Sequence, residues 1–164
     1  MKAIITIGLP ACGKSTFASK LEASGWRVVE RDRIREEICR SEGKEFKWST
    51  WDSSREPEVQ KLWAGKLEEA MASEERIVVS DTNLNHKYRE LIANTLRGRG
   101  YRVAFVFFDV KPEVCVARNA RRANPVEDDA WGKMIPLWEE SRRWFFEKEQ
   151  NKEFFLRSAD SAAS

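Results

Sequence analysis

Lys2-Ala3-Ile4-Ile5-Thr6-Ile7 runs directly into Gly8-Leu9-Pro10-Ala11-Cys12-Gly13-Lys14-Ser15, and this stretch decides the fold. The first six residues form a nearly continuous β-branched run, the pattern of a strand buried on both faces as in a parallel sheet. The next eight match G-x-x-x-x-G-K-[ST], and residues 13–24 read as a helix with Phe17 and Leu21 four apart. A strand feeding a glycine-rich turn that opens a helix is the setting in which this pattern binds phosphate. The glycines let backbone N–H groups converge on phosphate oxygens, and the helix N-terminus adds partial positive charge. With glycine at ~7% of residues, the pattern arises by chance in roughly one chain in a few hundred of this length. Lys14 is placed to bridge the β- and γ-phosphates and Ser15 to ligate magnesium, with Gly8, Gly13 and Thr16 completing the nucleotide-binding set.

Downstream, short apolar strands alternate with helical patterns. Residues 27–29, 76–80 and 101–108 read as strands, and 33–40, 58–73, 87–97, a segment opening at Pro112, and 127–148 read as helices. Residues 41–54 read as a loop. The last helix carries Trp131, Ile135, Trp138 and Phe145 on one face, and the small polar tail 158–164 is expected to fray. The expectation is an α/β fold: a central parallel sheet of four or five strands with helices on both faces, in one domain over 1–164.

Composition bounds the classes available. In 164 residues, 41% hydrophobic and 34% charged is too apolar for a disordered chain and too charged for a membrane bundle. No apolar run approaches the ~18 residues of a spanning helix, and the N-terminal apolar stretch is too short for a secretory signal, so a cytoplasmic location without membrane contact is expected. Cys12, Cys39 and Cys115 lack C-x-x-C spacing and His partners and read as reduced thiols. A net charge of +2 means that contact with nucleic acid must come from a local cluster.

In open parallel sheets ligands sit beyond the carboxyl ends of the strands, which directs attention to the residues after Val29, Ser80 and Phe108. After Val29 comes Glu30-Arg31-Asp32-Arg33-Ile34-Arg35. Asp32 suits a proton acceptor for an incoming hydroxyl and Arg35, on the same helical face, suits an anionic acceptor; an exposed helix cap with solvated arginines fits the local pattern as well. Ser80-Asp81-Thr82-Asn83-Leu84-Asn85 reads as a carboxylate in magnesium's outer shell with polar groups for an acceptor phosphate, or as a capped turn. Arg118, Arg121 and Arg122 close a helix before Ala123-Asn124-Pro125-Val126, which suggests an arginine-bearing lid over about 118–130, or a solvated surface helix. Lys44 to Trp51 interleaves basic and aromatic side chains, as single-strand platforms do, and equally as a loop pinned to the body would.

The order GLPACGKST, ERDRIR, VSDTNLN and FFDV followed by ARNARR resembles the 5′-kinase module of phage-type polynucleotide kinase, within the P-loop phosphotransferases, over roughly residues 1–145. The resemblance implies a P-loop kinase fold with a lid over the phosphate site. It also implies transfer of the γ-phosphoryl of ATP, or another NTP, with Mg²⁺, onto the 5′-hydroxyl end of DNA or RNA. By the same resemblance, Lys14 binds the donor phosphates, Ser15 the metal, and Asp32 is the general base. Arg35 and Thr82 hold the phosphate 3′ to the accepting nucleoside, Asp81 supports that cluster, Arg118 packs near the donor base, and Arg122 acts on the transferring phosphoryl group. Phe108-Asp109-Val110 carries one Asp and runs into Lys-Pro, so the D-x-D-G-T phosphatase motif of some relatives is absent from this chain. Two other readings stand beside it: a small-molecule kinase for a sugar, an amino acid or a nucleotide sugar, and a nucleotide-binding switch without transfer.

Overall fold

The computed structural model describes residues 1–147 and, as backbone alone, 154–158. β1 (Lys2–Ile7), β2 (Arg27–Val29), β3 (Ile77–Val79), β4 (Arg102–Asp109) and β5 (Phe154–Ser158) form one sheet in the order β2-β3-β1-β4-β5, and every neighbouring pair is parallel. Around it run α1 (Lys14–Ala23), α2 (Arg31–Ser41), α3 (Glu56–Ala72), α4 (His86–Gly98), α5 (Pro112–Asn119) and α6 (Asp128–Glu147).

Alternation along β4 shows how both faces are covered. Phe107 stacks on Trp138 and Phe145 of α6 at 6.0 and 5.3 Å, whereas Phe108, pointing the other way, meets Phe17 of α1 edge-on at 5.7 Å. Ile5, Phe105, Phe107 and Phe108 are fully buried, each contributing about 2 kcal/mol of burial. Because the central strands are enclosed on both sides, their sequences are nearly continuously apolar, with Thr6 of β1 bonding its hydroxyl to backbone carbonyls.

The structure departs from the sequence reading in three places. α2 begins at Arg31, two residues earlier than expected, so Glu30 holds the N-cap position and Asp32 lies inside the first turn. The alternative reading of Asp32 as a helix cap is therefore not met. Residues 41–54 contain two short 3₁₀ turns, Trp48–Thr50 and Ser53–Arg55, anchored by the buried Phe46. The fifth strand follows α6, ending at Ser158; residues 159–164 of the expected frayed tail, and Lys148 of the expected last helix, lie outside the described residues. Among the described residues no helix is long and apolar enough to cross a membrane.

Strand order sets the position of the site. β1 lies between β3 and β4, so the turn leaving β1 sits beside the turn leaving β3, with the end of β2 one strand further out.

Candidate active site

The Gly8–Ser15 turn is shaped by contacts as well as by glycine content. A Cβ on Gly8 would lie 2.6 Å from Cys12 Sγ and 3.0 Å from Phe108 Cβ, so the turn folds back over β4 only because position 8 has no side chain. Gly13 and Ala11 both adopt positive φ, 106° and 63°. Lys14, buried at 8% exposure, donates its ammonium to the carbonyls of Gly8 at 2.9 Å and Leu9 at 2.6 Å. Those neutral partners leave its charge uncompensated for an incoming anion.

The turn after β3 is fastened to this one. Gly8 N–H donates to Thr82 O at 3.0 Å, and Thr6 Oγ1 donates to Asp81 O at 3.0 Å. Asn83, at φ 46°, donates its amide to the carbonyls of Thr6, Val79 and Asp81. That amide is consumed in closing the sheet edge. Beneath it, Arg89 is fully buried and donates to Asn83 O, Leu84 O and Ser141 Oγ at 3.0–3.1 Å, with Trp144 under its guanidinium at 4.8 Å. Burial lowers this guanidinium to about 10, and its Nε–H has no acceptor.

Carboxylates and guanidiniums then interlock. Arg31 donates its backbone N–H and Nη1 to the two oxygens of Asp81, at 2.9 and 2.6 Å, while its Nη2 reaches Gln60 and Tyr88 and its plane lies 4.2 Å over Trp63. Trp63 Nε1–H also donates to Asp81. Burial pushes the Asp81 carboxyl up, and the Arg31 charge opposes that push. Arg33 is held by Glu22 and Glu30. Arg35 gives Nε–H and Nη2–H to Glu56 at 3.0 and 2.8 Å and Nη1–H to Asp32 at 2.7 Å. A guanidinium has five N–H groups, so two remain on Arg35.

Glu30 is the site residue the sequence reading passed over. Its carboxylate accepts from Ser15 Oγ at 3.3 Å, and burial, with Asp32 and Asp81 nearby, raises it to about 7. Its place directly after β2 was the available signal. Gln60 and Tyr88 were also missed, and Trp48 was noted only within the basic-aromatic stretch 44–51; all three come from segments whose nearness to the phosphate turn depends on tertiary packing.

One cleft of about 1330 Å³ gathers these groups. It is lined by Gly13, Lys14, Ser15 and Thr16, by Asp32 and Arg35, by Asp81 and Thr82, and by Arg118 and Arg122. Gly8 lies buried behind the turn. The volume lies above the ~300–1,000 Å³ usual for single-ligand pockets. Arg118 reaches Ala11 O at 3.5 Å, and Arg122 is exposed on the turn 119–126. Phe46 packs edge-on against Trp48 and Trp51 at 5.1 and 5.5 Å, so the aromatic residues of 44–51 pin that segment to the body and only Trp48 reaches the cleft. Oxygen donors at Ser15 and Glu30 suit a hard cation such as magnesium, and among the described residues no three His, Cys, Asp or Glu side chains form a metal cluster. Such an ion would depend on nucleotide phosphates for most of its ligands.

A family described as AAA domain matches residues 4–140. Among solved structures, a gluconokinase from Sinorhizobium meliloti 1021 is 23% identical with a TM-score of 0.57, the match covering 96% of this chain and 82% of that one. A chain of the Pnkp1/Rnl/Hen1 complex is 21% identical with a TM-score of 0.58, covering 77% of this chain and 40% of that chain. A chain of the PezAT chromosomal toxin–antitoxin system of Streptococcus pneumoniae is 18% identical with a TM-score of 0.62, covering 98% and 69%. At these identities the likeness is one of fold.

Proposed function

The chain belongs to the AAA domain family, and we propose that it transfers the γ-phosphoryl group of ATP, or another NTP, to the 5′-hydroxyl end of DNA or RNA. The observation that carries the reading is the placement of Asp32 in the same cleft as Lys14 and Ser15, with Arg35 tethered to it at 2.7 Å. Asp32 keeps one carboxylate oxygen free of protein donors in that pairing and takes the proton of the attacking hydroxyl. The hydroxyl oxygen bonds to the γ-phosphorus as the bond to the β,γ-bridging oxygen breaks, and the nucleoside diphosphate departs. Lys14 and Arg122 meet the negative charge that spreads over the transferring group, which is where most of the rate acceleration in such reactions arises. Ser15, together with the phosphates, would hold magnesium, which neutralises charge on the β- and γ-oxygens. The two remaining N–H groups of Arg35, with Thr82, receive the phosphate 3′ to the accepting nucleoside. Arg118 lies against the donor end, and Asp81 holds Arg31 in place behind the acceptor wall.

The test offers labelled ATP and Mg²⁺ with a 5′-hydroxyl oligonucleotide, its 5′-phosphorylated twin and a nucleoside 3′-monophosphate. Label on the first and third alone supports the reading.

A second reading, a kinase for a sugar or another small alcohol, is favoured by one observation. Arg31, Arg33 and Arg35 are each paired with protein carboxylates, so the acceptor side offers less free positive charge than the sequence suggests. Label passing to a sugar or sugar acid, with none on the oligonucleotide, would decide for it.

A further inference from the structure

Two polar contacts join segments seventy-six residues apart at the edge of the cleft. The backbone N–H of Trp48 donates to Asn124 Oδ1 at 2.7 Å, and Lys47 Nζ donates to Ala123 O at 3.2 Å. Because the donor is a main-chain N–H, the oxygen of the Asn124 amide must face it. The turn that carries Asn124 is also clamped at its neck. Asn119, 4% exposed, accepts the Val126 N–H at 2.9 Å and returns its own amide to Val126 O at 3.1 Å. Between clamp and tip lies Arg122, whose backbone N–H donates to Asn119 O at 3.0 Å.

On the other side of the cleft, Trp48 is seated by Phe46 and lies under the Arg35 guanidinium at 4.7 Å. The Trp48–Asn124 bond therefore connects the wall that meets the acceptor to the turn that carries Arg122. A turn free at its tip would leave a long exposed arginine to search for the phosphoryl group. A turn fixed at both ends removes much of that search before the reaction begins.

We propose that Asn124 is a positioning residue: its bond to Trp48 holds the 119–126 turn against the acceptor wall and so sets where Arg122 meets the transferring phosphoryl group. The inference rests on the role given to Arg122 above and is independent of which alcohol is the acceptor.

The experiment compares the intact chain with Asn124→Ala and Asn124→Asp, the latter retaining an oxygen for the Trp48 N–H. Three quantities are read without any acceptor: hydrogen exchange at the Trp48 amide, affinity for Mg–ADP, and affinity for Mg–ADP with aluminium fluoride, which occupies the place of the transferring group. In Asn124→Ala the Trp48 amide should lose protection and Mg–ADP affinity should stay within about twofold. Capture of the aluminium fluoride complex should weaken by about tenfold or more. Asn124→Asp should track the unaltered protein in all three. The proposal is overturned if Mg–ADP and the aluminium fluoride complex weaken equally, or if the Trp48 amide is unprotected in the unaltered protein. It is overturned equally if protection is lost with no change in capture, if Asn124→Asp behaves as Asn124→Ala, or if the unaltered protein binds the fluoride complex no more tightly than Mg–ADP. Failure of the polynucleotide reading would show instead as absent label on the oligonucleotide with these three measurements unchanged.

Discussion

Ser15, in the first turn of α1, donates its hydroxyl to the carboxylate of Glu30 at the end of β2, 3.3 Å away. The strands that lead to them, β1 and β2, are separated in the sheet by β3, yet the phosphate turn and the cap of α2 meet over the same edge. An acid beside the residue expected to ligate magnesium, and itself raised to about 7, makes this edge sensitive to pH.

Glu30 should make the nucleotide-free protein lose stability as pH rises. Its pKa in the folded protein, about 7, lies above the ordinary 4.5, so the folded state holds the proton more tightly than the unfolded chain. The stabilisation is fully present below about 4.5 and is lost as pH climbs to about 7, by up to about 3 kcal/mol. Thermal melts of Glu30→Gln and the unaltered protein across this range should diverge, with the variant the more stable at pH 8. Parallel curves would remove the assignment.

Asp32→Asn should lower the rate of transfer by ~10²–10⁴-fold while leaving donor affinity unchanged. Asp32 is one of two carboxylates on Arg35, and Glu56 keeps its two bonds to that guanidinium in the variant, so the fold should persist. Single-turnover kinetics beside equilibrium ATP binding separates the two effects; weakened ATP binding as the main defect would contradict a role as base.

Arg122→Ala should cost ~10³–10⁵-fold in turnover with an unchanged melting temperature, since the side chain is exposed. Lys14→Ala should be as damaging to turnover. Near-normal turnover in a folded Arg122→Ala protein would take the lid arginine out of the reaction.

Arg89→Ala should be among the most destabilising single changes in the chain, by more than about 3 kcal/mol in urea unfolding. It empties a fully buried position and takes the side-chain donor from Asn83 O, while Leu84 O keeps the Ser141 hydroxyl as its donor. Arg89→Lys keeps a donor on the same stem and should lose less. Equal losses would mean that neither the filled volume nor a single donor suffices there, only the guanidinium itself.

Ala11→Gly should be tolerated and raise stability by up to about 1 kcal/mol. Position 11 sits at φ 63°, a conformation that costs an L-residue with a Cβ about 1–2 kcal/mol, offset in part by the greater freedom of glycine in the unfolded chain. A fall in melting temperature would show that the Ala11 methyl supports the turn.

The phosphate turn was legible because its information is contiguous: strand, glycines, lysine and helix follow one another within a few turns of chain. The parallel α/β fold was legible for a related reason, since strands enclosed on both faces, such as Ile77–Val79, carry no polar alternation. The roles of the arginines after β2 were less legible. Arg31, Arg33 and Arg35 look equivalent in sequence, yet Arg31 closes on Asp81 fifty residues away, Arg33 on Glu22, and Arg35 on Glu56. The aromatic residues of 44–51 fitted a stacking surface and a pinned loop equally, and the contacts of Phe46 with Trp48 and Trp51 favour the pinned loop.

From the order of residues alone, then, came the strand–turn–helix that can cradle a phosphate, the alternation that builds the sheet, and the place of Asp32 just beyond the second strand. The fold alone decided which charges stay open and which are silenced, and that Trp48 and Asn124 would meet. The reason is physical: local geometry follows from neighbouring side chains, whereas charge pairing depends on which distant segments the strand order lays side by side.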